Sequence, residues 1–152
     1  GFNSISLIPC NLYGPNDSFD LEQSHVFSAL VKRFSDAKKS GQKEITLWGS
    51  GIAMREFMHV DDAAKAVIYF MESYESSEFI NVGWGKDISI KELAGMISQK
   101  VGFEGKINWD TKKADGMLRK CTDISRMLAT GFRPVISIKE GVQQMINIYQ
   151  ND

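Results

Sequence analysis

The stretch Thr46-Leu-Trp-Gly-Ser-Gly-Ile-Ala-Met-Arg-Glu-Phe-Met-His-Val-Asp-Asp62 sets the reading of the whole chain. Two short apolar runs, 44–48 and 56–60, flank Gly49-Ser50-Gly51, and glycine tolerates the positive φ angles that a tight reversal needs. The spacing predicts a strand, a turn with Trp48 and Arg55 at its flanks, and a second strand, together a hairpin. The stretch ends in Asp61-Asp62, where a carboxylate can accept hydrogen bonds from the free backbone donors of a helix over 63–72. The two aspartates therefore read as helix caps and His59 as a packed strand residue. An aromatic plane and a guanidinium held close by one reversal suit a flat, anionic ligand such as a nucleotide. A surface hairpin with a half-buried tryptophan fits the same spacing, so the pattern alone leaves both readings open.

Upstream, Ile5, Leu7 and Ile8 form a short strand that stops at Pro9, because proline cannot donate to a sheet ladder. The turn formers of 11–17 read as a loop, and loops after strand ends in α/β folds are where ligands bind. From Gln23 a helical pattern begins, with Val26, Phe27, Leu30, Val31 and Phe34 at three- and four-residue spacing. Ser24 is the expected cap, which puts His25 in the first turn. Downstream come a strand at 79–82, a helix at 90–101 capped by Ser89 and closed by Gly102, and a strand at 106–109. A polar loop at 110–116, a short helix at 124–128 and a last amphipathic helix capped by Ser137 complete the chain. Strands alternate with helices, which predicts an α/β layered fold.

With 152 residues, 43% hydrophobic and 24% charged, the chain is one domain long and can bury a real core. Its formal net charge of −1 supplies no field that would draw it to nucleic acid or an anionic membrane. Cys10 and Cys121 lie far apart without CxxC spacing or a histidine pair, which argues against a zinc site or a disulfide framework and for a reducing compartment. No apolar run approaches the length of a membrane span, so a cytoplasmic protein is expected. The chain opens on Gly1 and enters a strand almost at once, which suggests a piece of something longer. That strand would need sheet neighbours that these residues do not supply, which speaks against a stand-alone binding module.

Taken in order, Pro9-Cys-Asn-Leu-Tyr-Gly-Pro15, Ser24-His25-Val26, Trp48-Gly-Ser-Gly51, Met54-Arg-Glu-Phe57, His59-Val-Asp-Asp62, Ile80-Asn-Val-Gly83, Asp115-Gly116 and Arg119-Lys120 closely resemble the GDP-L-fucose synthases. These are extended short-chain dehydrogenases/reductases that epimerise GDP-4-keto-6-deoxy-D-mannose at two carbons and reduce it with NADPH. The first and fifth pieces are shared widely among extended reductases. The sequence S-H-V, W-G-S-G, M-R-E-F is specific to this branch. The resemblance covers only the second half of that family, since neither a glycine-rich dinucleotide fingerprint nor a Tyr-x-x-x-Lys pair occurs here. It implies a single substrate-binding domain over 1–152, whose first 22 residues are the last strand and loop of a dinucleotide-binding fold.

The same resemblance implies roles. His25 matches the acid that works opposite a cysteine belonging to the other half, and imidazole titrates near working pH. It also lies beside the cofactor. Arg33, Arg55 and Lys120 match cations on the substrate diphosphate, and Trp48 a flat wall for sugar or base. Arg119 could serve in place of Lys120, and Met117-Leu118 departs from the small-then-Pro pair expected before it. Pro9, Cys10, Asn11 and Leu12 match the segment along the nicotinamide of NADP. The implied partner is a GDP-sugar, with a homodimer for the full-length enzyme and a monomer or weak dimer for this piece. Two alternatives stay open: the same half of a GDP-heptose or other keto-sugar reductase, and a non-catalytic sugar-nucleotide-binding module.

Overall fold

The computed structural model describes residues 4–20 and 24–151. Gln23, where the helical pattern begins, and residues 1–3 and 21–22 of the expected leading segment lie outside the described residues. Three sheets organise what is described. The first joins β1 (Leu7–Pro9) to β5 (Ile80–Val82), and another joins β3 (Glu44–Trp48) to β7 (Lys106–Asp110). In the remaining sheet, β4 (Met54–His59) runs parallel to β2 (Asn11–Tyr13) through Asn11↔Phe57, Leu12↔Met58 and Tyr13↔His59. It is also antiparallel to β6 (Asp87–Ser89) and parallel to β8 (Arg119–Lys120), so β4 serves three neighbours.

The hairpin expected over 44–60 does not form, because β3 and β4 belong to different sheets. The glycine turn is there, with φ of +78° at Gly49 and +76° at Gly51, but its backbone is bound outward. Gly49 N–H donates to the Asp110 carbonyl at 3.0 Å. The carbonyls of Gly51 and Ala53 accept from the N–H groups of Lys91 and Ile90, at 2.9 and 3.0 Å, where helix α3 (Ile90–Val101) begins. With these groups committed to β7 and α3, the chain steps from one sheet to the next. Gly51 is obligatory for a second reason, since a Cβ there would stand 2.6 Å from the Trp109 ring.

Helices α1 (Val26–Lys39), α3 and α5 (Ile138–Asn151) pack with β3 and β7 around Phe34, Leu47, Leu93, Ile97 and Met145. Tyr13 enters this core flat on Phe27, ring centroids 3.9 Å apart, and edge-on to Phe57. Each such side chain fully buried contributes about 1.5–3 kcal/mol. A second core, around Phe70, Ile80, Met127 and Phe132, joins α2 (Val60–Ser73) and α4 (Ser125–Ala129) to β1 and β5. The first strand therefore has a sheet neighbour in this chain, contrary to expectation, and residues 11–13 of the expected loop are strand β2.

Capping follows local chemistry, with three corrections. Ser89 and Glu92 form a reciprocal capping box on α3, which ends at Gly102 with φ +74°, and Ser137 and Glu140 exchange the same bonds before α5. At α2, however, the imidazole of His59 is the cap, its Nδ1 accepting from Asp61 N–H at 3.2 Å. Asp62 instead reaches back to accept the N–H groups of Val135 and Ile136, at 2.9 and 2.7 Å, fastening the loop before α5. At α1, His25 occupies the N-cap in extended conformation without a side-chain bond, so Ser24 is not the cap.

Two helix glycines should respond to alanine with opposite signs. A Cβ at Gly141 would lie 2.0 Å from the Tyr13 hydroxyl, whereas one at the exposed Gly95 meets nothing within 4 Å. Gly95→Ala is expected to raise stability by about 0.5–1 kcal/mol through helix propensity. Gly141→Ala should lose about 1–3 kcal/mol to overpacking, and thermal melts of the two variants on either side of the wild type check this.

Candidate functional site

Three adjoining hollows share one wall, Val26 at the start of α1. The first, about 300 Å³, is lined by Cys10, Asn11, Leu12, His25, Phe27, Arg55 and Phe57. Next to it, a hollow of about 190 Å³ is lined by Arg55, Trp48, Gly51, Ala53, Ile90, Ala114 and Asp115. Beyond Trp48 a third, about 260 Å³, lies among Ser24, Leu30, Arg33, Leu47, Trp48 and Trp109. Arg55 is common to the first two and Trp48 to the last two, so the three form one cleft.

The structure thus brings His25, Arg33, Trp48, Arg55, Cys10, Asn11 and Leu12 to a single cleft, although they come from four separate elements and the ends between them. Lys120 lies outside the lining but is the register partner of Arg55 across β4 and β8, so the two side chains share a face of the sheet. Pro9 is apart from the cleft, exposed at the end of β1 opposite Val82. Trp48 is 68% exposed and lies between two cations, with the Arg33 guanidinium 6.0 Å and the Lys113 ammonium 5.4 Å from its ring centroid.

The charges around the cleft are unevenly paired. Arg119 donates to Asp87 at 2.5 Å, and that bond holds the Asp87 carboxyl below its usual range. Arg33, Arg55, Lys113 and Lys120, by contrast, have no ion-pair partner among the described residues. The hydrogen bonds of Arg33 and Arg55 among the described residues go to carbonyl oxygens, of Thr46 at 3.4 Å and Met54 at 2.8 Å. Cations side by side on neighbouring strands repel, and an anion between them removes that cost. Arg119 is thus already engaged, which leaves Lys120 as the free cation of the pair.

Two features of the cleft were not assigned a role from sequence. Asp115 clamps the glycine turn, its two oxygens accepting from Ser50 N–H and Ser50 Oγ, both at 2.7 Å. Those bonds lower its pKa. A Cβ at Gly49 would lie 2.3 Å from the same carboxylate, and the adjacent Asp115-Gly116 pair was the only sequence signal. Trp109 lines the third hollow from β7, and nothing in a five-residue strand pattern distinguishes it from a core residue. Burial first, and then the charge of Glu56, push the Cys10 thiol up to about 12, so it stays protonated and unreactive at neutral pH.

A family profile described as "NAD dependent epimerase/dehydratase family" matches residues 1–83. "Probable GDP-L-fucose synthase 1" of Oryza sativa subsp. japonica is 47% identical over 149 residues, which cover 98% of this chain and 45% of that protein. The crystal structure of a GDP-L-fucose synthetase from Naegleria fowleri superposes with a TM-score of 0.90 at 28% identity, over 97% of this chain and 46% of that one. A GDP-mannoheptose C4 reductase from Campylobacter jejuni, solved with NADP bound, does so with a TM-score of 0.84 at 29% identity, over 96% of this chain and 52% of that one. The chain therefore spans about half the length of the relatives it matches. The match of that profile over more than half of the residues shows that the chain belongs to the NAD dependent epimerase/dehydratase family.

Proposed function

We propose that this chain is the GDP-sugar-binding half of an NADPH-dependent enzyme that converts GDP-4-keto-6-deoxy-D-mannose to GDP-L-fucose in the cytoplasm. The observation that carries the reading is the pairing of Arg55 with Lys120 across neighbouring strands, with no carboxylate paired to either among the described residues. A diphosphate between them, with Arg33 beyond Trp48, satisfies all three cations at once. The hollow between Trp48 and Trp109 then offers the base an apolar, aromatic slot. His25, at the far end of the cleft, delivers a proton to the sugar carbon from which the opposite face has lost one.

Cys10, Asn11, Leu12 and the exposed imidazole of His25 line one open hollow, which fits a single edge of a dinucleotide. These residues would form that edge, with Pro9 directing the strand toward it. The remaining walls are assigned to a dinucleotide-binding half, to which β1 also belongs. NADPH, when bound, supplies the hydride for reduction at the sugar's keto carbon. Alone, the chain is then expected to be inactive and a monomer or weak dimer. The likeness to a GDP-mannoheptose C4 reductase supports a second reading, the same half acting on a GDP-heptose.

Calorimetry is expected to find GDP binding that weakens at least about tenfold in Arg55→Ala, the loss of one charge-assisted contact, with no measurable NADPH affinity. Tight NADPH binding by this chain alone would contradict the assignment. Adding the amino-terminal half of the Oryza relative with NADPH and GDP-4-keto-6-deoxy-D-mannose should restore NADPH oxidation in the wild type and not in His25→Ala. Turnover of a GDP-keto-heptose only would favour the second reading, and GDP binding without any turnover a binding module.

The Asp115 clamp adds a pH dependence. Its pKa is depressed by bonds to Ser50, so the clamp is complete above the ordinary carboxylate range and is lost as pH falls through the lowered value. Asp115→Asn should therefore weaken GDP binding already at neutral pH, while the Asp115 clamp of the wild type survives into mildly acid buffer. Equal affinities of the two proteins at neutral pH would remove Asp115 from the site.

A further inference from the structure

Glu56 sits in the middle of β4, 1% exposed, and no cation pairs with it among the described residues. Hydrogen-bond donors meet its carboxylate instead. Gly85 N–H donates to Oε1 at 2.6 Å, and Thr122 donates twice to Oε2, from N–H at 2.7 Å and from its hydroxyl at 2.6 Å. The main-chain carbonyl of the same residue accepts from Asn11 Nδ2 at 2.7 Å. A Cβ at Gly83 would lie 2.3 Å from Oε1, so the 83–85 loop rests directly on the carboxylate.

The register of β4 explains why this residue is placed there. Residues 54 and 55 pair with Arg119 and Lys120 of β8, whereas Phe57, Met58 and His59 pair with β2. Glu56 is the step at which one parallel neighbour gives way to the other. Its side chain takes hold of the chain just beyond Lys120, through Thr122, and its carbonyl takes hold of the residue that begins β2, Asn11. An apolar side chain here would leave the N–H groups of Gly85 and Thr122 and the Thr122 hydroxyl without their acceptor, so Glu56 contributes to stability, and fixed donors aimed at a charge also define geometry closely.

We propose that Glu56 is a positioning residue of the cleft, holding the strand end that carries Lys120 and the strand start that carries Asn11 against the strand that carries Arg55. The inference rests on the GDP-sugar reading of the cleft, and its test separates the two. Glu56→Gln keeps the shape but turns one acceptor oxygen into an NH₂ donor, which must then face either Gly85 N–H or the Thr122 donors. Thr122→Val removes a single donor.

The test combines amide NMR of the ligand-free chain with GDP calorimetry, both at a temperature where circular dichroism shows each variant folded. In Glu56→Gln the resonances of Asn11 and Lys120 should move and GDP affinity should fall about tenfold, the cost of one charge-assisted hydrogen bond. Thr122→Val should cost less, and the double variant no more than Glu56→Gln alone, since both act through one link. A purely structural role would lower the melting temperature and leave the folded protein's affinity unchanged. Wild-type resonances at Asn11 and Lys120 in Glu56→Gln, or wild-type affinity, overturn the proposal. Should that variant not fold, the same two readings on Thr122→Val decide. A wild-type chain that binds no GDP sinks the GDP-sugar reading, and the NMR result then decides the role of Glu56 by itself.

Discussion

The rest of the structure depends on β4 having three strand neighbours. Six residues, Met54–His59, supply backbone partners to β2, β6 and β8, so almost none of their main chain is left to water. A strand so constrained cannot slip, because a shift of one residue would move Arg55, Phe57 and His59 together to the opposite face and put Glu56 and Met58 in their place. The guanidinium of Arg55, the buried carboxylate of Glu56 and the capping imidazole of His59 inherit that fixity. The candidate site residues on β4 are therefore placed by a ladder rather than by a loop.

Placing a cleft beside such a strand requires something to hold its opposite wall. Trp48 and Trp109 sit on the separate β3–β7 pair, and Arg33 on α1, so their distance from Arg55 is not set by any shared ladder. Residues 49–53 set it. Their carbonyls are fastened to the first turn of α3, their turn is clamped by Asp115, and the Gly51 backbone lies against the Trp109 ring. The glycines are needed because of this close approach and the positive φ together, which is a stronger demand than a hairpin makes.

That difference shows which parts of the molecule the sequence made legible. The long helices were readable because their apolar spacing and caps are local: Ser89 with Glu92, Gly102, and Ser137 with Glu140 all act within one turn. The parting of β3 from β4 was not, since a Gly-Ser-Gly turn between two apolar runs looks the same whether the strands face each other or part. What separates them is Asp110, Lys91 and Ile90, some 40 to 60 residues further on. The three-residue strands β2 and β6 and the two-residue β8 carry no periodicity to read at all. Asp62 illustrates the same limit, as an aspartate at a helix start whose partners lie beyond residue 130.

The cleft was legible in a different way. Its cations come from segments distant in the chain, and only a likeness to a known family could group them beforehand. What groups them in the structure is position: Arg33 and Arg55 line the cleft, Lys113 lies against the Trp48 ring and Lys120 is in register with Arg55, each without a carboxylate partner among the described residues. A carboxylate for Arg55 was available on the next residue, Glu56, yet it is turned inward and saturated by Gly85 and Thr122. Successive residues of a strand face opposite sides of the sheet, so β4 keeps its one buried anion out of reach of its own cation. The arrangement leaves the positive face of β4 open to an anion from outside, and secures on its other face the negative group that keeps that strand's neighbours in place.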